Sequence, residues 1–189
     1  GEAMSTARKG NGKGRFLTLR GTYDLDDGAI GLQKELLDYI SPDRTRAWRL
    51  EGAWLWPKDI QEDTGGSSET CGVGAMLATD TFKVTQFNDL LDAGDNRQCA
   101  WYWKQYQRRD GSTDYIIPNA TTIPESCRFL IDEDTLIVKE LYLQVMVRSE
   151  GATNPARRWN YLIALREVKV SPWESLFQQL KGIGQDQDS

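Results

Sequence analysis

Between Thr135 and Ser149 the apolar residues Ile137, Leu141, Leu143, Val145 and Val147 share one parity, while Glu140, Gln144 and Arg148 share the other. A period of two belongs to a strand with one buried and one wet face, and it conflicts with the roughly 3.6-residue period of a helix. The run is also long. About 15 residues exceeds the usual five or six, and predicts a strand that crosses a whole β-sandwich or extends past its edge. Asp132-Glu133-Asp134 turns the chain into this run, and Trp159–Val170 reads as a second long strand after a loop over Glu150–Ala156. Ser171-Pro172-Trp173-Glu174 then forms a capping box with proline at the first helical position, predicting a helix over Pro172–Lys181 stopped by Gly182. No residue from Cys127 to Lys181 is arranged for bond-breaking chemistry.

The remainder reads in the same way. Strands are predicted over Arg15–Tyr23, with Leu17, Leu19 and Tyr23 on one face, and over Thr45–Trp56, with Trp48, Leu50, Trp54 and Trp56 on one face and Arg49 and Glu51 on the other. Further strands fall at Cys71–Thr79, Gln98–Arg108, Tyr115–Ile117 and Cys127–Ile131. In Gln98–Arg108, Cys99, Trp101 and Trp103 oppose Tyr102 and Tyr106, so both faces carry rings. Arg109-Asp110-Gly111-Ser112 is a hairpin turn, and Lys58–Thr70 is the longest loop. Leu32, Leu36, Leu37 and Ile40 recur at helical spacing, predicting a short helix over Ala29–Ile40, and one or two helical turns are expected in Gln86–Asp92. Six to eight strands without a βαβ rhythm make the chain all-β. A single jelly-roll β-sandwich of about eight antiparallel strands, with short helical inserts and a C-terminal helix, fits best. The 189 residues suit one domain over 15–189, preceded by a flexible basic arm over 1–14.

Composition excludes several chemistries. The chain has no His, which removes the commonest general base and the Ser/His/Asp and Cys/His constellations. Cys71, Cys99 and Cys127 are odd in number and contain no C-x-x-C pair, so buried structural thiols are expected rather than a zinc site. Gly10-Asn11-Gly12-Lys13-Gly14 lacks the spacing of a phosphate loop, and Gly72-Val73-Gly74 is half of a dinucleotide fingerprint. Asp132, Glu133 and Asp134 form a carboxylate cluster that reads as a solvated turn before it reads as a Ca²⁺ site. We expect no enzyme activity, no cofactor and no bound metal. No run approaches the roughly 18 apolar residues of a membrane span, and no apolar segment follows the basic N-terminus, so a soluble chain without a secretory signal or membrane partner is expected. The alternating Trp48, Trp54, Trp56, Trp101 and Trp103 are read as core, with a stacking platform for sugars or unpaired bases as the other use of such rings.

The net charge of −5 hides an asymmetry, because Arg8, Lys9, Lys13, Arg15 and Arg20 occur within Ser5–Arg20 without an acid among them. Such a segment suits phosphate neutralisation. Phe82-Lys83-Val84-Thr85 with Phe87-Asn88-Asp89-Leu90-Leu91, then Arg128-Phe129-Leu130-Ile131-Asp132, then Tyr161-Leu162-Ile163-Ala164-Leu165-Arg166-Glu167, make the chain similar to single jelly-roll capsid proteins of small single-stranded DNA viruses and of RNA or satellite viruses. The likeness covers roughly Thr45–Val170. It implies a structural protein of the virion, assembled in the host cytoplasm or nucleus into a closed icosahedral shell of on the order of 60 copies. It also implies that Arg8, Lys9, Lys13, Arg15 and Arg20 face a single-stranded nucleic acid. The stripe Trp173, Phe177 and Leu180 is the expected assembly interface, packing on the chain's own barrel being the other use of that stripe. Two other classes compete. One is a carbohydrate-binding β-sandwich using exposed Trp residues; the other is an enzyme using carboxylates such as Glu51, Asp132 or Glu140.

Overall fold

The computed structural model describes residues 4–9, 14–25, 30–38, 45–59, 70–108, 116–118, 127–149 and 157–187. It is an antiparallel two-sheet sandwich. The first sheet has the order β1 (Met4–Lys9), β2 (Arg15–Leu25), β10 (Arg157–Lys169), β4 (Arg46–Pro57). The second runs β3 (Lys34–Asp38), β9 (Glu140–Ser149), β5 (Thr70–Ala78), β6 (Gln98–Arg108), β7 (Ile116–Pro118), with β8 (Leu130–Ile131) also on β6. Two helices complete it among the described residues, α1 (Phe87–Leu90) and α2 (Pro172–Gln187).

The pairing is that of a long ribbon folded on itself and rolled up. β2 pairs with β10, β3 with β9, and β5 with β6, while Trp54 and Trp48 of β4 bridge to Arg128 and Ile137. Outer segments thus pair with outer and inner with inner, which is the jelly-roll arrangement. In β10 every second residue from Arg157 to Glu167 is buried, and Trp159, Tyr161, Ile163 and Leu165 stand beside Leu17, Leu19, Tyr23, Leu50, Ala53 and Leu55 on the inner face of the sheet, within one core. Leu141, Leu143, Val145 and Val147 close that core from the second sheet. Tyr23 illustrates its economy: its hydroxyl donates to the Leu32 carbonyl at 2.6 Å, passing so close to Gly31 that a Cβ there would collide with it.

Several expectations need correction. Of the helix predicted for Ala29–Ile40 the structure describes 30–38, which holds strand β3 instead, where a register shift between Glu35 and Leu37 lets the consecutive Leu36 and Leu37 both pack against the core. Leu32 is exposed, so the helical spacing was not an apolar stripe. The long run at 135–149 is two pieces. Ile137 bridges Trp48 in the first sheet, and β9 begins only at Glu140 in the second. Likewise, of Cys127–Ile131 only Leu130–Ile131 is strand, because Arg128 bridges to β4 while Leu130 and Ile131 pair with β6. The segment 128–137 therefore laces the two sheets together along one edge. Gly182 does not stop α2, which continues to Gln187; a glycine costs a helix interior about 1 kcal/mol, too little to end it. The segment expected as a mobile arm is a strand over Met4–Lys9, paired with β2 from Met4↔Arg20 to Lys9↔Arg15. Lys13 and the hairpin turn at 109–112 lie outside the described residues.

Candidate functional surfaces

The tryptophans divide between core and surface because of one bulge. Along β4 the partner register moves from Ala164↔Gly52 to Leu165↔Leu50, so Glu51 is the extra residue and the inward parity flips across it. Trp48 and Leu50 point in before it and Ala53 and Leu55 after it. Trp54 is therefore half-buried on the outer side and Trp56 is exposed, against the reading that placed both in the core. A Cβ on Gly52 would run into the Trp54 ring, so this indole lies along the outer surface of the sheet, with the Arg128 guanidinium 5.7 Å from its centroid. In β6 the shift between Leu77 and Ala78 puts Ala100 and Tyr102 inward, Tyr102 packing on Phe129 at 5.3 Å between centroids. Trp103 is exposed, and Trp101 is half-buried with its Nε1 donating to Gln98 Oε1 at 2.8 Å.

The outer sides of the two sheets differ. On the second sheet Met76, Ala78 and Met146 are covered by Leu90 and by Phe82, Val84 and Leu91 from the connection between β5 and β6. On the first sheet the register aligns Thr22, Asn160 and Trp56 in one row, Arg20, Leu162 and Trp54 in the next, and Phe16, Arg166 and Arg49 in a third. Arg158 stands opposite Asp24 at one end, and Arg166 Nε meets Glu51 Oε1 at 2.5 Å. Arg20 and Arg15 of the predicted basic set are thus on β2, both exposed, and Arg8 stands at the register position opposite Phe16.

The second surface is α2. Ser171 caps it, Glu174 N donating to Ser171 Oγ at 3.2 Å and Ser171 N to Glu174 Oε2 at 2.7 Å, as the sequence predicts. Its apolar stripe does not join the core: Trp173 is 80 % exposed, Phe177 60 % and Leu180 53 %. Hydrogen bonds from Ser171 hold the Glu174 carboxyl below its usual range, and the charge of Arg49 adds to this. Asp89 is lowered in the same way by the Thr85 amide and hydroxyl, each at 2.9 Å. A depressed folded-state value means the caps contribute fully above the ordinary carboxylate range and fade as pH falls through it. Far-UV circular dichroism is expected to lose α2 signal as pH falls from the ordinary carboxylate range through the lowered Glu174 value, and Glu174→Gln to remove most of that step.

The remaining candidates assemble less. Asp132 accepts from Asp134 N at 3.1 Å and from Thr135 Oγ1 at 2.7 Å, so it closes its own turn. Glu51 and Glu140 belong to different sheets, the first paired with Arg166 and the second with Lys139 at 3.1 Å. Glu35, Asp38 and Glu140 form a carboxylate group that sequence reasoning missed, since β3 was read as helix. Burial leaves the Cys99 thiol strongly raised and donating to the Leu77 carbonyl, and neither Cys99 nor Cys127 is in a disulfide. A cleft of about 340 Å³ lined by Tyr23, Asp24 and residues 30–34 brings no pair of carboxylates together. No helix among the described residues is long and apolar enough to cross a membrane. No protein-family model matches the sequence, and no curated protein matches it.

Proposed function

We propose that this chain is the coat subunit of a small virus, self-assembling into an icosahedral shell around a single-stranded nucleic acid. The observation that carries this reading is α2, a well-capped helix following the last strand of a jelly roll, with Trp173 and Leu180 of its apolar stripe turned to solvent. A stripe of that size is unfavourable in water and is stabilised by a partner. A second copy of the same chain is the natural one, because a self-complementary helix face generates the two-fold contacts from which closed shells are built. Arg8, Lys9, Lys13, Arg15 and Arg20 are the proposed cargo-facing charges. A lone carbohydrate-binding sandwich is the second reading, favoured by the exposed Trp56 and Trp103.

Analytical ultracentrifugation with negative-stain microscopy tests the main reading. Concentrated protein is expected to give a fast-sedimenting species of uniform closed particles. A monomer at every salt and pH, with tryptophan fluorescence that responds to soluble glycans, would establish the second reading instead.

A further inference from the structure

The outer side of the first sheet carries chemistry that the core does not use, and of its arginines Arg49 alone is shown acting on α2, through Glu174. It presents Arg20, Arg49, Arg158 and Arg166 against Asp24 and Glu51, a cationic excess on a chain whose net charge is −5. Between the arginines stand two aromatic side chains with accessible surface, Trp56 at 39 % and Phe16 at 41 % exposed. Exposed rings on a flat sheet are costly unless something stacks on them, and guanidinium groups beside rings match phosphates beside bases.

We infer that this face binds single-stranded nucleic acid, with Trp56 and Phe16 stacking on bases and Arg20 and Arg158 contacting phosphates. Three features select this occupant. Stacking requires unpaired bases, whose faces a duplex hides. Asn160 accepts from the Thr22 hydroxyl through its Oδ1 at 3.0 Å, which directs its amide donors to other partners such as base edges. The basic strand β1 pairs along the edge of this same sheet, and the register sets Arg8 opposite Phe16 in the outer row, while Lys9 stands opposite Arg15 on the inward parity. Sheet-borne arginines also enlarge the cationic surface beyond the N-terminal charges alone, which are few for a genome-length polyanion. The outer side of the second sheet is unsuitable, because Phe82, Val84 and Leu91 lie over it.

The inference deepens the coat-subunit reading and rests on it for the cargo, but binding is measured apart from assembly. The full chain carrying Trp173→Glu and Phe177→Glu, which blocks α2, is titrated with fluorescein-labelled oligo(dT) and oligo(U) of about 20 nucleotides, reading anisotropy and intrinsic tryptophan quenching. Adding Trp56→Ala is expected to weaken binding about tenfold and remove most of the quenching, with Trp56→Phe restoring affinity. Adding Arg20→Gln with Arg158→Gln is expected to lower the slope of log affinity against log salt by about 1.4, the share of two phosphate contacts on a single strand. Neutralising Arg8, Lys9 and Lys13 should weaken binding yet preserve the Trp56-dependent quenching. Affinity and quenching that ignore both the Trp56 and the arginine variants would overturn the inference in favour of the N-terminal charges alone. Quenching reversed by a neutral oligosaccharide would overturn it in favour of a sugar site. Either result leaves the particle assay on the native chain unaffected.

Discussion

Trp173→Glu combined with Phe177→Glu is expected to abolish particle formation while leaving a folded monomer. Both side chains stand mostly in solvent, so their loss removes little burial from the subunit, and exposed substitutions of this kind fall within about 0.5 kcal/mol of neutral. At position 173 the new carboxylate enters the first turn of α2 beside Glu174, where negative charge favours the helix. Between subunits the arithmetic reverses. An aromatic anchor truncated at an interface centre costs about 2 kcal/mol or more, and a buried unpaired carboxylate adds to it, so two substitutions weaken each contact by at least about a thousandfold. A closed shell multiplies that loss over every symmetric contact. Sedimentation should therefore show one slow species with an unchanged melting temperature. Intact particles from this variant would mean that α2 is not the contact, and a collapse in melting temperature would mean that the stripe packs on its own subunit.

Much of the architecture is legible in the sequence because the strongest strands are amphipathic on a strict period. β10 and β2 follow their alternation residue by residue, and the capping box at Ser171 and Glu174 forms as its spacing dictates. The misreadings have one physical origin, which is that periodicity is a local signal and a sandwich edge is not a local structure. Ile137 and Leu141 share a parity and read as one strand, yet the chain changes sheets between them, and nothing in their side chains reports the change. The bulge at Glu51 has the opposite effect. It inverts the parity of β4 midway, so that an extrapolation from Trp48 and Leu50 assigns Trp54 and Trp56 to the core when they lie outside it. The adjacent small residues Gly52 and Ala53 were the available clue, since a bulge needs room and one of them lies under the displaced Trp54 ring. The candidate nucleic-acid face stayed hidden for the same reason. Arg20, Leu162 and Trp54 form one row only through pairings across more than a hundred residues of sequence.

The β5–β6 connection covers the outer side of the second sheet, whereas on the first sheet, among the described residues, only the end at Ala47 and Val168 is covered, by Leu136, Val138 and Val170. One ion pair braces the β5–β6 connection. Arg97 Nε and Nη2 donate to the two oxygens of Asp95 at 2.9 and 2.8 Å, with side chains only 6 % and 8 % exposed. The Arg97 amide donates to Asp95 Oδ1 as well, the guanidinium lies 4.4 Å from the Phe82 ring, and the Arg97 carbonyl accepts from Thr79 N at 2.8 Å. Gln98 ties the same loop to α1 by donating to the Asp89 carbonyl at 2.7 Å. Removing the carboxylate strands a desolvated guanidinium beneath Phe82, so Asp95→Ala is expected to lower unfolding free energy by about 3–5 kcal/mol, a large share of the roughly 5–15 kcal/mol typical of a domain. Replacing both partners, as in Asp95→Ala with Arg97→Met, should recover most of that loss, because no charge is then left buried. Urea titration of the two variants measures the difference. Asp92→Ala, in the same loop but exposed, provides the comparison and should stay within about 1 kcal/mol of the native chain. If Asp95→Ala were equally mild, Arg97 would have to find water by lifting Phe82 off the second sheet. Met76 and Met146 would then be open to solvent, and the cover that sets the outer side of the second sheet apart from the Trp56 end of the first, on which the assignment of the binding face depends, would disappear.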